Sequence, residues 1–403
     1  MPSPSVLDIP ELRRLLAVLD GDGEEARVVG GAVRNALLGL PHGDVDVATT
    51  ALPAEVTRRA EAAGFRALPT GVEHGTVTVL VDHHPFEVTT LREDVETDGR
   101  RAVVAFGRDF SHDAQRRDFT INALYARPDG EVVDHVGGLA DLALRRVRFI
   151  GDAETRIRED YLRILRLFRF TAEYGEGPLD PEALRASIRL RAGLARLSSE
   201  RVRAELMKLL ATRRAPELAR ILAECGFLDR ILGLAPDPHA MAAAASAGAD
   251  PVLRLAALAV RVREDAGLLA QRLRLSNQEA ERLDACAALL EALHGRVASL
   301  SVQDWRALAY RRGAGPARDA LAVLAARETG EARPDALRPA FAALAEPVPV
   351  RPWTGRAVLA HGVPAGPRVG AILARAEELW IAAGFPDDPG QRDAMLAQAL
   401  AEG

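Results

Sequence analysis

Two aspartates lie two positions apart in a valine-rich stretch of the sequence. Asp44 and Asp46 alternate with Val45 and Val47 in DVDVATT. In a β-strand, residues i and i+2 face the same way, so both carboxylates would project from one face while the valines enter a core. Two neighbouring negative charges are unfavourable unless a cation lies between them. Carboxylate oxygens suit Mg²⁺. The spacing alone leaves open either a magnesium site or a solvated pair of aspartates, and the glycine turn that precedes the pair favours the magnesium site.

A pair of glycines precedes the aspartates. Gly30 and Gly31 separate the apolar run ARVV from the helix-like segment AVRNALLG. Glycine at a strand-to-helix turn lets backbone N–H groups approach a phosphate, and the start of the following helix favours negative charge. Arg34 follows three residues later and can add a charge-assisted contact to an anion. Beside the aspartates, this turn favours a phosphate site over a simple tight connection.

A third stretch, REDYLRILRLFRF at 158–170, repeats apolar and charged residues at one spacing. Leu162, Leu165 and Phe168 recur every third residue, which predicts a buried stripe on a helix. Asp160 begins a second series on a neighbouring face, which continues with Arg163, Arg166 and Arg169. A surface helix with i,i+3 ion pairs is the alternative. That alternative does not explain three arginines for one or two acids.

The sequence resembles a known family at three places. GGAVRNALLGLPHGDVDVATT is similar to the signature of the class II tRNA nucleotidyltransferases, and RRDFTINALYA and REDYLRILRLFRF resemble further motifs of that family. The family comprises CCA-adding enzymes and bacterial poly(A) polymerases within the polymerase-β-like superfamily. Its usual first motif has an aspartate where this chain has Asn35, so the contacts at that helix start can differ. The resemblance is strong from about Val28 to Tyr174, fair to about Leu210 and faint beyond.

The resemblance implies a role for each of these polar residues. Asp44 and Asp46 would ligate two Mg²⁺ ions at the catalytic centre. Glu87 in FEVTTLR is a candidate third carboxylate, with a structural strand glutamate as the alternative. Asp118 and Asn122 would hydrogen-bond a ribose hydroxyl. The nucleoside triphosphate would be held by the glycine turn and by arginines, namely Gly31, Arg34, Arg117, Arg166 and Arg169.

In the family the helix that matches 158–170 selects the nucleobase, and Asp160 and Arg163 suit that role. A carboxylate accepts from the exocyclic amine of cytosine or adenine, while a guanidinium donates to N3 and O2 of cytosine or to N1 of adenine. Guanine and uracil present a carbonyl and an N–H at those positions, which costs about 1–3 kcal/mol for each unsatisfied buried group. The pair is therefore expected to admit C and A and to exclude G and U.

Local patterns predict the elements that must carry these residues. ARVV, DVDVATT and GEVVDHVGG are typical of strands, and GTVTVLVDHHPFEVTTLR is typical of a hairpin with its turn at His83, His84 and Pro85. The polar segment 92–115 is expected to be an irregular, mobile loop. Alanine- and leucine-rich helical patterns follow after about residue 145. Strands first and helices afterwards predict the α+β class.

We expect three domains from the pattern and the resemblance together. Residues 1–145 would form a polymerase-β-like nucleotidyltransferase head with a small mixed or antiparallel sheet. Residues 146–215 would form a helical neck that selects the nucleobase, and residues 216–403 an all-α body and tail that bind tRNA.

From Arg145 to Ala219 there are 17 basic and 11 acidic side chains, although the formal net charge of the chain is −5. A basic middle is what an anionic partner would need.

The composition and the apolar runs of the sequence indicate in which cellular compartment the protein is expected and which kinds of partner are not expected. The 403-residue chain has two cysteines, Cys225 and Cys286, which are too few for a disulfide framework. The first residues lack a signal-peptide pattern, and no uncharged apolar run reaches the roughly 18 residues of a membrane span. We therefore expect a cytoplasmic protein that does not contact a membrane and has no stable protein partner.

These expectations converge on an enzyme that adds C, C and A to the 3′ acceptor end of tRNA from CTP and ATP, with Mg²⁺ as cofactor. A poly(A) polymerase, or an enzyme that adds only CC or only A, is the nearest alternative, although the acidic C-terminal half counts against the poly(A) polymerase. A catalytically silent RNA-binding protein would not need both aspartates and the Asp/Arg helix face. An antibiotic-modifying nucleotidyltransferase would lack RRDFTINA and EDYLR.

Overall fold

The structure is a computed structural model that describes residues 4–94, 104–328 and 333–402. The chain divides into two compact units, residues 1–197 and 198–403. This division falls inside the segment 146–215 predicted as a neck. The first unit combines a β-sheet with helices, and in the described part of the second unit every regular element is helical. The predicted α+β class is thus confirmed.

The first unit is built on a mixed sheet of seven strands in the order β3-β4-β5-β2-β1-β8-β9. All neighbouring pairs are antiparallel except β2 and β5, which run parallel. A second, two-stranded sheet pairs β6 with β7. The strands are β1 Ala26–Val29, β2 Asp46–Thr49, β3 Arg66–Gly71, β4 Thr76–Val81, β5 His84–Thr90, β6 Arg92–Asp94, β7 Val104–Phe106, β8 Leu124–Ala126 and β9 Val132–Asp134.

The predicted hairpin is confirmed, but its turn is one residue earlier than expected. Val81 pairs with His84, so the connection consists of Asp82 and His83 alone. Both residues have positive φ, at 48° and 70°. Two-residue loops with this backbone match the twist of the flanking strands, which explains why His84 and Pro85 belong to β5 instead of the turn.

The segment predicted as an irregular loop contains regular structure at both ends. Residues 92–94 and 104–106 pair as antiparallel strands, and a helix begins at Phe110 with Asp109 as its N-cap. The prediction of irregular structure was wrong for these parts, because a short strand pair and a six-residue helix leave little periodic signal. Residues 95–103 lie outside the described residues.

Eight helices lie in the described part of the first unit. Several begin with Pro or follow an aspartate N-cap, both of which suit a helix start. Their bounds are α1 Pro10–Leu19, α2 Gly31–Leu37, α3 Pro53–Ala62, α4 Phe110–Gln115, α5 Gly138–Ala143, α6 Ala153–Glu159, α7 Leu162–Tyr174 and α8 Pro181–Leu190. Short 3₁₀ turns occur at Ser5–Asp8, Val72–His74, Thr120–Asn122 and Arg191–Arg196.

The helices of the second unit are α9 Ser199–Ala211, α10 Ala215–Glu224, α11 Leu228–Leu232, α12 Pro238–Ser246, α13 Pro251–Ala259, α14 Arg263–Leu273, α15 Asn277–Ala292, α16 Val302–Arg312, α17 Ala314–Arg327, α18 Arg333–Ala345, α19 Gly355–Leu359, α20 Pro367–Ala382 and α21 Pro389–Glu402. Trp353 and Trp380 pack in a buried cluster that joins α19, α20 and α21. Cys225 and Cys286 are both free thiols.

One close approach in the first unit fixes the turn that carries Asp118 and Asn122. Gly138, at the start of α5, lies so near this turn that an added Cβ would be 2.2 Å from the carbonyl oxygen of Thr120. A backbone atom cannot move aside as a flexible side chain can. The lack of a side chain at Gly138 therefore sets the position of the turn.

We expect Gly138→Ala to lower the free energy of unfolding by about 1–3 kcal/mol, because the methyl group overpacks a backbone contact. The thermal midpoint of unfolding measures the loss. Gly177→Ala is the matched control, since an added Cβ there has nothing within 4 Å. Equal midpoints for the two variants would contradict the close-packing account.

Candidate active site

The two aspartates of the first motif lie at the beginning of β2. Asp46 is the first residue of the strand and is half-buried, whereas Asp44 precedes the strand and is exposed. The prediction that both lie within a strand was therefore wrong for Asp44. Val45 and Val47 are buried as predicted. Asp46 shares its sheet face with the buried Ala48, and its half-burial reflects a position at the edge of that core.

Glu87 is the neighbour of Asp46 in the parallel ladder between β2 and β5. Residues in register on adjacent strands project from the same face, so the two carboxylates lie side by side. Burial, together with the charges of Glu87 and Asp44, raises the pKa of Asp46 to about 6, and the positive charge of Arg117 opposes this increase. The structure thus places three acids in electrostatic contact at one end of the sheet.

This concentration of carboxylates fits a divalent cation that also takes oxygens from a substrate. Mg²⁺ is commonly held by one or two carboxylates together with phosphate and water oxygens. Asp44 and Asp46 could supply that pair, and a cation would relieve the repulsion that raises the pKa of Asp46. Within the described residues, no three His, Cys, Asp or Glu side chains are arranged to hold a metal. Glu87 as a third ligand therefore stays a prediction.

A cavity of about 470 Å³ brings the predicted site residues together. Every residue predicted to bind nucleotide lines it, as does Asp46, whereas Asp44 does not. The lining residues are Gly30, Gly31, Arg34, Asp46, Arg116, Arg117, Asp118, Asn122, Asp160, Arg163, Arg166, Arg169 and Phe170. The turn between β1 and α2, the turn before β8 and the start of α7 therefore converge, although their residues lie far apart in sequence.

The helix predicted from Arg158 to Phe170 is broken at Asp160. Asp160 has an extended backbone (φ −151°, ψ 106°) and separates α6 from α7. Its Oδ1 accepts from the backbone N–H of Leu162 at 3.1 Å, and its carbonyl oxygen accepts from the N–H of Arg163 at 3.0 Å. Asp160 thus caps the start of α7, so the prediction of one continuous helix was wrong. Leu162, Leu165 and Phe168 are buried as predicted.

The half-buried arginines of α7 are oriented by acids and by backbone. Arg163 pairs with Glu159 of α6 and donates to the carbonyl oxygen of Arg116 at 3.2 Å. Arg166 pairs with Asp118, its Nε lying 2.7 Å from Oδ2. Burial alone would raise the pKa of Asp118, but Arg166 and the hydrogen bonds from Asn122 and from the backbone N–H of Phe119 together outweigh burial, and the pKa is lowered. Asp118 therefore carries a negative charge next to the cavity.

Arg117 is held in place by the buried carboxylate of Asp113, a residue outside the predicted site. Asp113 accepts from Nε and Nη2 of Arg117 at 3.1 and 2.9 Å, and from the hydroxyl of Tyr125 at 2.7 Å. The same carboxylate also pairs with Arg116. Nη1 of Arg117 lies next to the backbone of Gly30, 3.7 Å from the position that a Cβ added to Gly30 would occupy. Asp113 lies three residues before RRDFTINA, outside the motifs identified in the sequence.

Arg34 is buried at the first turn of α2 and donates to three different acceptors. Its Nη2 lies 2.7 Å from the hydroxyl of Tyr174 and 2.9 Å from Oδ1 of Asn35, and its Nη1 donates to Asn122. Asn35, which replaces the family's usual aspartate, also donates to the carbonyl oxygen of Pro41 at 2.9 Å. An aspartate could not make that last bond. Asn35 therefore ties α2 to the segment that leads into Asp44.

The fold is that of a polymerase-β-like nucleotidyltransferase head followed by helices. Residues 26–148 match the family model for the poly A polymerase head domain, and residues 178–241 match the model described as the probable RNA and SrmB-binding site of polymerase A. Along its whole length the chain resembles the CCA-adding enzyme of Bacillus stearothermophilus, whose crystal structure is a complex with CTP. The TM-score is 0.68 at 30% identity, and 100% of this chain and 98% of that chain are covered.

Two further relatives each match less than half of the chain. The mitochondrial CCA tRNA nucleotidyltransferase 1 of Homo sapiens is 44% identical over 192 residues, which are 47% of this chain and 44% of that protein. The CCA-adding enzyme of Leuconostoc citreum is 46% identical over 163 residues, 40% of each protein. The matched stretch thus spans less than half the length of these relatives. The chain belongs to the class II tRNA nucleotidyltransferase and poly(A) polymerase family.

In the described ranges, no helix is both long enough and apolar enough to cross a membrane.

The raised pKa of Asp46 makes stability depend on pH when divalent cations are absent. The carboxyl titrates at about 6 in the folded chain, against an ordinary value of 3.8. The folded state therefore binds more protons between these values, and the contribution of Asp46 to stability falls as the pH rises through about 6. We expect Asp46→Asn to remove that fall, so that in EDTA its thermal midpoint exceeds the wild type's at pH 7.5.

The difference between the two midpoints should shrink as the pH is lowered from about 6 towards 3.8, because Asp46 is then increasingly protonated in the unfolded wild type as well as in the folded one. Asp8→Asn is the control, since Asp8 is an exposed residue of the same unit whose ion pair is with Arg13. An Asp46→Asn midpoint at pH 7.5 below the wild type's would rule out the assigned pKa.

Proposed function

We propose that this protein is a template-independent nucleotidyltransferase that adds C, C and A from CTP and ATP to the 3′ end of tRNA and releases pyrophosphate. The observation that carries the proposal is the cavity in which the Asp46 carboxylate, five phosphate-binding candidates and the pair Asp160 and Arg163 converge. The family membership supports it, as do the names of the relatives. An enzyme that adds only CC or only A, or a poly(A) polymerase, would use the same head.

The triphosphate would lie between the glycine turn and the arginines. The backbone of Gly31 and the guanidinium groups of Arg34, Arg117, Arg166 and Arg169 line one cavity, and their charges suit the oxygens of a polyanion. Arg117 would use Nη1, because Nε and Nη2 are held by Asp113. Asp118 and Asn122, bonded to each other at 3.1 Å, would meet the ribose hydroxyl.

Asp44 and Asp46 would hold Mg²⁺, with Glu87 next to them as a further carboxylate. Such ions, when bound, lower the pKa of the attacking 3′-hydroxyl and stabilise the pyrophosphate that leaves. The protein's own part is to keep Asp46 half-buried and close to Arg117, so that carboxylates and guanidinium groups meet across the reacting phosphate.

Nucleobase choice would rest on Asp160 and Arg163. The carboxylate of Asp160 accepts from the Leu162 N–H, and the guanidinium of Arg163 contacts Glu159 and the backbone of Arg116. An acceptor and a donor that line one cavity complement the edges of cytosine and adenine, and oppose those of guanine and uracil.

The proposal also assigns a role to each domain and a location in the cell. We assign nucleotide transfer to residues 1–145, nucleobase selection to 146–215 and tRNA binding to 216–403. The excess of arginine between Arg145 and Ala219 supports contact with the acceptor end. Cytoplasmic location is part of the same proposal, and the human relative named above is mitochondrial.

Incubation with tRNA that lacks its 3′ CCA distinguishes the candidates. With CTP alone we expect two additions, with both nucleotides three additions, and with GTP or UTP none. Repeated addition from ATP alone would identify a poly(A) polymerase, while a stop after CC or a requirement for a CC end would identify the partial enzymes.

We expect Asp44→Ala to reduce incorporation by more than about 100-fold while tRNA affinity changes less than about twofold, because the carboxylate serves the metal and not the RNA. Both quantities are measured on one preparation, by primer extension and by filter binding. Asp8→Ala, which removes an exposed carboxylate of the same unit, is the matched control and should incorporate normally. Retained incorporation by Asp44→Ala would refute the metal role.

A further inference from the structure

Two arginines of the cavity are joined through a tyrosine and a glutamate at the end of α7. Nη2 of Arg34 donates to the hydroxyl of Tyr174 at 2.7 Å, and this hydroxyl donates to Oε1 of Glu173 at 2.8 Å. The other oxygen of Glu173 accepts from Nη1 of Arg169 at 2.9 Å. One continuous hydrogen-bonded path therefore connects α2 with α7.

The same two guanidinium groups lie over a pair of aromatic rings. Arg34 Cζ is 3.8 Å from the ring centroid of Tyr174, and Arg169 Cζ is 4.0 Å from that of Phe170. The two rings are stacked, with their centroids 5.7 Å apart. Each guanidinium is therefore restrained in its plane by a ring and along its edge by a hydrogen bond.

The two arginines and the tyrosine of this network are buried, so their polar groups need hydrogen-bond partners within the protein. Arg34, Arg169 and Tyr174 are 5%, 8% and 6% exposed. Burial lowers the pKa of Arg34 and raises that of Tyr174 to about 12, so the hydroxyl keeps its proton. A hydroxyl can accept from a guanidinium and at the same time donate to a carboxylate, which a phenylalanine at this position could not do.

We propose that Tyr174 and Glu173 are positioning residues that hold Arg34 and Arg169 at a fixed separation, so that both guanidinium groups meet the triphosphate of either nucleotide. This inference rests on the proposed role of the cavity as a nucleoside triphosphate site. Neither residue lines the cavity, so they act through the arginines and not by touching the substrate. Their effect should be the same for CTP and ATP, because the two nucleotides share the triphosphate.

The test is Tyr174→Phe, which keeps the ring under Arg34 and removes the bridging hydroxyl. We expect the KM for CTP and for ATP to rise about threefold to tenfold by equal factors, with kcat within about twofold of wild type. Glu173→Ala should match it, and Glu173→Gln should be milder because a carboxamide oxygen still accepts from Tyr174. Tyr310→Phe is the matched control, since its hydroxyl donates to Glu377 in the second unit, and it should leave both KM values unchanged.

A second readout does not need the reaction. Titration calorimetry with inorganic tripolyphosphate and Mg²⁺ should show a dissociation constant about threefold to tenfold higher for Tyr174→Phe than for wild type or Tyr310→Phe. An unchanged constant, unchanged KM values, or an effect on one nucleotide only would overturn the inference. Weaker tripolyphosphate binding in a protein that does not extend tRNA would uphold the inference and reject the proposed function.

Discussion

Six arginines line one cavity, and the repulsion among six positive charges has to be offset by acceptors on the protein. Each guanidinium needs an acceptor that keeps it in place when no anion is bound. Asp113 serves Arg116 and Arg117, Asp118 serves Arg166, and acids of α6 and α7 serve the others. Arg34 instead relies on amide and hydroxyl oxygens. These acceptors hold the six guanidinium groups around the cavity that they line.

Carboxylates on two neighbouring strands supply negative charge at the same site as the arginines. Asp46 and Glu87 lie in register on β2 and β5, the parallel pair of the sheet. The antiparallel pairs carry the glycine turn on one side and the hairpin on the other. Asp46 and Glu87 thus lie on strands, whereas Arg34, Arg163, Arg166 and Arg169 lie on helices α2 and α7.

Local patterns sufficed for the parts of the site that depend on local structure. The glycine turn, the strand of Asp46 and the buried stripe of α7 follow from residue type and spacing alone. The turn at Asp82 and His83 was misplaced by one residue because both residues adopt positive φ without being glycine. The break at Asp160 was missed because helical periodicity continues through it, although its carboxylate caps the next helix.

The sequence could not reveal residues whose roles depend on distant partners. Asp113 meets Tyr125 twelve residues away, and Tyr174 meets Arg34 across 140 positions. Neither belongs to a recognisable spacing, and both support arginines that the motifs do identify. Roles that the motifs imply for single residues, such as the ribose contacts of Asp118 and Asn122, stay predictions.

The cap at Asp160 has a consequence for how one pocket could accept rings of two sizes. Its carboxylate is tied to the first turn of α7, whereas the guanidinium of Arg163 ends a long side chain with several rotatable bonds. Under the proposed function, the exocyclic amine would be the common reference point for a pyrimidine and a purine. The difference in ring width would then be absorbed by rotamer changes at the arginine, while the backbone of the helix stays where it is.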